Sequence, residues 1–259
     1  MHVGGQNQQA LGGYNGTSTG PRERVERTAY RTADPAGGMA RQLGIFGGSF
    51  NPVHFGHLLM AECCREQVPL DRVLFVPAAV PPHKPASELA PCADRLTMLR
   101  LAVGGHDAFE VRTEECDRGG VSYTVDTVAW LRERFPADDC WLILGADALA
   151  SLPDWREPRR LLDLARPLIL DRQGADDIEA ILAEPAMRQL LSEREAGQLL
   201  ANRVRVPRLD IRASQLRAAV AAGRSIRYRT PRAVERLIVS RGLYRDPVIP
   251  AAAAGPAAD

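Results

Sequence analysis

Residues 44–57 read Gly44-Ile45-Phe46-Gly47-Gly48-Ser49-Phe50-Asn51-Pro52-Val53-His54-Phe55-Gly56-His57, and no other stretch restricts the fold of this chain so tightly. An apolar start breaks into paired glycines and Asn-Pro, and residues 58–64 then run largely apolar without Gly or Pro. That pattern is strand, loop, helix. Gly47 and Gly48 remove side chains where a ligand could approach the backbone. A helix beginning beside them would turn unpaired N–H groups toward the same spot, an arrangement suited to phosphate. His54 and His57 stand where loop becomes helix, and imidazoles there can hydrogen-bond an anion without a carboxylate's repulsion. Taken alone, a Gly-Gly turn followed by histidines serves equally well as an ordinary strand-to-helix connection.

The rest of the chain repeats the alternation. Residues 72–77, 109–111, 140–144, 168–170 and 204–206 carry the signal of short strands. Between them, residues 92–103 place Leu96, Leu99 and Val103 at helical spacing, and Val125, Val128 and Leu131 share a face of another helix. Residues 231–241 form a terminal helix closing in Gly242-Leu243-Tyr244. Cys140-Trp141-Leu142-Ile143-Leu144 is apolar throughout, as a central parallel strand covered on both faces must be. The expected fold is therefore a doubly wound, Rossmann-like α/β domain with its site above the carboxyl ends of the strands. Residues 81–85 are too rich in proline for helix and read as a solvated loop. Residues 176–200, mixed in charge, read as a solvated covering helix or pair of helices.

Composition narrows the partners. The chain has 259 residues, 45% of them hydrophobic, enough for a full core. Its 33 Lys and Arg nearly balance 32 Asp and Glu, so there is no basic footprint for nucleic acid, and any bound anion is small and held locally. No apolar run approaches the roughly 20 residues needed to span a membrane. The folded domain is expected over residues 39–245. Residues 1–38, rich in Gly, Gln, Asn, Ser and Thr, and the Ala/Pro tail 246–259 lack the periodicity to bury anything, so both are expected to be disordered. The first 38 residues also lack the apolar centre of a secretory signal, and Met39 stands just ahead of the first strand as an alternative translation start. Cys63, Cys64, Cys92, Cys116 and Cys140 form no Cys-x-x-Cys pair and are expected to be reduced core thiols of a cytoplasmic protein.

Of three further residues, one reads as a helix cap and two admit two readings each. Thr124 follows Ser122-Tyr123 at a helix start and would serve as an N-cap. Asp147, just past the apolar strand, is either a helix cap or a carboxylate facing the ligand crevice. Trp155 is either core or a flat partner for a flat base.

The string Gly-Gly-Ser-Phe-Asn-Pro-x-His-x-Gly-His resembles the His-x-Gly-His nucleotidyltransferase superfamily and, in this fuller form, the bacterial nicotinate mononucleotide adenylyltransferases. It matches neither the Gly-x-Gly-x-x-Gly fingerprint nor the Walker loop, and no Lys-Met-Ser-Lys-Ser segment points to a class I aminoacyl-tRNA synthetase. The resemblance covers residues 41–244. It includes Pro81-Pro82-His83-Lys84, Ser122-Tyr123-Thr124, Gly145-Ala146-Asp147-Ala148-Leu149 followed by Trp155, and Gly223 to Tyr228 near the end. Ile211-Arg212-Ala213-Ser214-Gln215-Leu216-Arg217 stands in place of the family's Ile-Ser-Ser-Thr-x-x-Arg, with Arg212 and Ala213 replacing hydroxyl residues. Asp171-Arg172-Gln173-Gly174 departs from the usual Arg-Pro-Gly.

What the resemblance implies is transfer of the adenylyl group of ATP to nicotinate mononucleotide, with Mg2+ carried on the ATP. His54, His57 and Arg217 would be catalytic. Gly47, Gly48, Ser49, Phe50, Asp147, Ser214 and Arg172 would bind ATP, and Asn51, Lys84, Ser122, Thr124 and Trp155 the nicotinate nucleotide. Nicotinamide mononucleotide or phosphopantetheine are alternative acceptors, and a catalytically inactive nucleotide sensor is the alternative from another class. The choice between monomer and homo-oligomer stays open.

Overall fold

The structure, a computed structural model, describes residues 40–82, 85–172 and 177–245. The expectations for the two tails and for Lys84 fall outside the described residues.

Six parallel strands form one sheet in the order β3-β2-β1-β4-β5-β6. They are β1 (Gln42–Gly48), β2 (Arg72–Pro77), β3 (Phe109–Val111), β4 (Asp139–Gly145), β5 (Arg166–Arg172) and β6 (Arg203–Val206). The order reverses between β1 and β4, which pair from Gln42 opposite Asp139 to Ile45 opposite Leu142. Chains leaving those two strands at their carboxyl ends turn to opposite sides, and the crevice that opens there is where such sheets bind ligands.

Alternation along the strands sorts the core into two layers. On one face Val73, Phe75, Trp141, Ile143, Leu168 and Leu170 pack with α1 (Phe55–Gln67) and α2 (Cys92–Val103), and with two helices near the end of the chain, α10 (Ala213–Ala221) and α11 (Arg232–Ser240). On the other face Leu43, Ile45, Leu74, Leu142, Leu144 and Ile169 meet α4 (Thr124–Arg134), α5 (Ala146–Ala150) and α6 (Pro158–Leu164). The short α3 (Glu114–Arg118) precedes α4. Strands buried on both faces explain why β4 is apolar from Cys140 to Leu144 rather than alternating.

Residues 177–201 differ from the expected solvated helix or pair. They form three short helices, α7 (Ile178–Ala183), α8 (Pro185–Leu190) and α9 (Glu193–Ala201). The breaks have local causes. Asp177 caps α7 by accepting from the Ala180 N–H at 2.9 Å, Pro185 begins α8, and Ser192 with Glu195 forms a capping box for α9. Ile178, Leu182, Met187, Leu191 and Leu199 are buried in the second core layer, so this segment is part of the fold's packing.

The cysteines divide as well. Cys63, Cys64 and Cys140 are buried and unbonded, as expected, and burial pushes their thiols up. Cys92 and Cys116 instead form a disulfide that ties the start of α2 to α3 across 24 positions. Nothing in their spacing announces it, because the chain reverses direction through β3 to bring them together.

Candidate active site

A cavity of about 710 Å³ opens at the β1–β4 switch point. Three groups of side chains expected to bind ligands meet on its wall: Gly47, Gly48 and Ser49 at the end of β1, Ser122 and Thr124 before α4, and Asp147 with Trp155 beyond β4. A Cβ on Gly47 or Gly145 would meet no atom within 4 Å, so both glycines present bare backbone to the cavity. Gly48 has a different reason to lack a side chain. Its Cβ would stand 3.3 Å from the Phe50 ring.

Two loop residues expected to touch nucleotide, Phe50 and Asn51, have buried side chains engaged within the fold. Phe50 is 1% exposed and lies edge-on to Phe46, with its ring centroid 5.0 Å from that of His57. Asn51 is equally buried, and its whole amide is used internally. Its Nδ2 donates to the Glu88 carbonyl at 2.9 Å, and its Oδ1 accepts from the Ala90 N–H at 3.0 Å and the Tyr244 hydroxyl at 2.8 Å. A short polar residue in a loop looks solvent-facing in sequence, but here it replaces the secondary structure the loop lacks.

The two histidines sit at the start of α1 with rings stacked 3.7 Å apart. The His54 backbone N–H donates to His57 Nδ1 at 3.2 Å, which requires that nitrogen to be unprotonated and leaves Nε2 of the neutral ring as the donor. His54 is 5% exposed, and desolvation lowers its pKa to about 4. Its Nδ1 has no hydrogen-bond partner. At neutral pH His54 is thus a neutral imidazole. Gly56 makes the stack possible, since a Cβ there would stand 3.0 Å from His54 Nδ1. The helix start is also less open than expected, because the Phe55 N–H donates to the Arg229 carbonyl at 3.1 Å.

Arg217 and Ser214 line a second cavity of about 590 Å³ with Tyr244 and residues 87–91. Arg217 Nη1 donates to the Asn51 carbonyl at 2.9 Å, so the loop from Gly47 to His57 runs from the wall of the first cavity to a cation of the second. Arg172 ends β5 opposite Val206 and lines neither cavity. Thr124 is the first residue of α4 rather than its cap, which is Tyr123, and Gly145 caps α5, so Asp147 is not the cap residue either. Trp155 is half-buried, with its indole N–H donating to Ser151 Oγ at 3.1 Å.

Sequence reasoning passed over the residue that holds these loops together. Arg95, in a helix read only for its leucines, is 1% exposed and has no direct carboxylate partner among the described residues. Its guanidinium donates to the carbonyls of Ala90, Ser49, Ala78 and Ala79 at 3.0, 2.9, 2.6 and 2.9 Å. Burial lowers its pKa. The long side chain spans three loops that no local pattern connects.

Comparison with known proteins follows from this geometry. A model of the cytidylyltransferase-like family matches residues 45–219. A protein of Thermomicrobium roseum named "Probable nicotinate-nucleotide adenylyltransferase" is 42% identical over 206 residues, 79% of this chain and 92% of that one. One of the same name from a Roseiflexus species is 46% identical over 205 residues, 78% of this chain and 98% of that one. The chain belongs to the nicotinate-nucleotide adenylyltransferase family.

A Plasmodium falciparum nicotinic acid mononucleotide adenylyltransferase, solved in complex with NaAD, superposes with a TM-score of 0.62 over 79% of this chain and 97% of that one. At 16% identity this likeness speaks for the fold. Among the described residues no group of three or more His, Cys, Asp or Glu side chains converges to hold a metal ion, and no helix is long and apolar enough to cross a membrane.

Proposed function

We propose that this chain joins ATP and nicotinate mononucleotide into nicotinate adenine dinucleotide, releasing pyrophosphate. The observation that carries the reading is the single cavity at the β1–β4 switch point, walled by bare glycine backbone on one side and by Trp155 with Ser122 and Thr124 on the other. Such a space accepts a nucleotide's phosphates against backbone and a planar ring against an indole.

In the reaction an oxygen of the mononucleotide's phosphate attacks the α-phosphorus of ATP, and the bond to the departing pyrophosphate breaks. The attacking group is already an anion, so no general base is needed. The protein's task is to align two polyanions and offset the charge at the α-phosphate. Alignment supplies up to roughly 7–11 kcal/mol, and each preorganised donor a few kcal/mol. Gly47, Gly48 and Ser49 approach the phosphates, Asp147 the ribose hydroxyls, and Trp155 stacks on the pyridine. His57, with Nε2–H as donor, stabilises the phosphoryl charge, neutral His54 supports it by stacking, and Arg217, on the second cavity, steadies the loop through the Asn51 carbonyl. Magnesium would come with ATP as part of the substrate, held mainly by phosphates and water, and would supply charge neutralisation for the leaving group. The same reading places the enzyme in the cytoplasm with its nucleotides.

The test is pyrophosphate release by the purified chain with MgATP, offering nicotinate mononucleotide, nicotinamide mononucleotide and phosphopantetheine in parallel. Turnover is expected with a preference for the nicotinate form. Preference for phosphopantetheine would move the chain to another pathway, and ATP binding without release from any acceptor would make it a nucleotide sensor.

A further inference from the structure

The large cavity has an uneven charge. Its described lining contains three carboxylates, Glu115, Asp147 and Asp154, and one cation, Arg156. Glu115 is occupied by the hydroxyl of Thr127, which donates to it. Arg156 therefore supplies the positive charge of this lining for a ligand made of anions.

Its position is specific. Arg156 directly follows Trp155, and its guanidinium lies over the Tyr123 ring, 4.7 Å from the centroid. Tyr123 is the middle residue of the Ser122–Thr124 loop, so the cation spans the two elements that frame the aromatic end of the cavity. Its carboxylate neighbours hold it weakly. Asp126 is 3.5 Å away and Glu157 3.6 Å, both beyond good charge-assisted hydrogen-bond length, and the Arg156 side chain is 51% exposed. Exposed pairs of this kind contribute little, and a stacked guanidinium keeps its hydrogen-bonding edge available for a bidentate partner.

Nicotinate and nicotinamide present the same planar outline and differ in one group, a carboxylate against an amide. A cavity cannot separate isosteres by shape, but a placed charge can. We infer that Arg156 is the acid-selecting residue: its guanidinium pairs with the ring carboxylate of a pyridine nucleotide stacked on Trp155. This rests on the adenylyltransferase reading and assigns the specificity of that same site.

The test compares kcat/KM for nicotinate and nicotinamide mononucleotides in the wild type, Arg156→Met and Arg156→Lys, with folding checked by thermal melting. Arg156→Met is expected to lose about 10- to 100-fold on the acid, mainly through KM, while the amide rate holds or rises. Arg156→Lys keeps part of the preference, because a point charge replaces a planar fork. Calorimetric affinities for the acid and amide dinucleotides should converge in the Met variant, giving a readout independent of turnover. An active wild type whose acid preference survives Arg156→Met, or a variant that loses both acceptors equally, overturns this inference alone. Wild-type chain inactive with both pyridine nucleotides would instead sink the functional reading beneath it.

Discussion

His54 shows how one residue's surroundings set its chemistry. At the start of α1, near-complete burial beneath the stacked His57 ring lowers the pKa of His54 from its ordinary 6.5 to about 4 and holds it neutral. An unfolded chain takes up a proton at this position as pH falls through 6.5, and the folded chain refuses it until about 4. Stability linked to His54 is thus whole above pH 6.5 and is lost on the way down to 4, a difference of about 3 kcal/mol. Replacement by Asn, which suits a helix cap, should flatten the decline of urea midpoint across that window. Wild-type and His54→Asn curves falling in parallel from 6.5 to 4 would show that His54 titrates normally in the fold. The positions of His54, His57, Gly47 and Trp155 were legible in sequence because each stands in a short string that resembles the family's motifs. The protonation of His54 was not, since it depends on how much of the fold covers the ring.

Among the elements, strands were the easiest to read, because a buried parallel strand is apolar at consecutive positions and β4 declares itself in five residues. Helix boundaries were set by finer signals. Asp177, Pro185 and Ser192 each start a helix within what looks like one continuous mixed-charge segment. Arg95 belongs to this scale, since it acts by joining elements. Its four carbonyl partners come from the loop after β1, the end of the β2 connection and the approach to α2. In Arg95→Met those buried carbonyls lose charged donors without gaining water, and the cost should be about 3 kcal/mol or more, seen as a lower urea midpoint at unchanged slope. A loss below about 1 kcal/mol would mean that the loops hold their positions without it. The Cys92–Cys116 bridge adjoins this strut, with Cys92 Sγ 3.2 Å from Arg95 Nη2. Neither the strut nor the bridge leaves a periodic trace in sequence, because both link positions by their meeting in space.

For the whole molecule, the sheet order 3-2-1-4-5-6 divides the chain into two halves that meet at β1 and β4. The cavity takes residues from both halves, with Gly47 and Ser49 from the first and Asp147 and Trp155 from the second. A dinucleotide product filling it would bind the folded arrangement and not the open chain. At a hundred times its dissociation constant it should add about 2.7 kcal/mol. For a chain of this size that corresponds to a rise in melting temperature of roughly 5–10 °C, measurable by differential scanning. No rise with saturating acid dinucleotide would place its binding elsewhere or nowhere. This architecture followed from alternation in the sequence. The placement of Arg217 on a separate cavity did not, because it depends on how α10 docks.

Asn51 lies near the beginning of the described chain, and Tyr244, one of its hydrogen-bond partners, lies 193 positions later. During synthesis at about 5–20 residues per second, the gap amounts to roughly 10–40 s. The nascent chain can assemble β1 to β4 long before then, so the first motif to emerge from the ribosome is among the last to be fastened. A chain stalled ahead of Tyr244 would carry a sheet around a loop still waiting for its final tether.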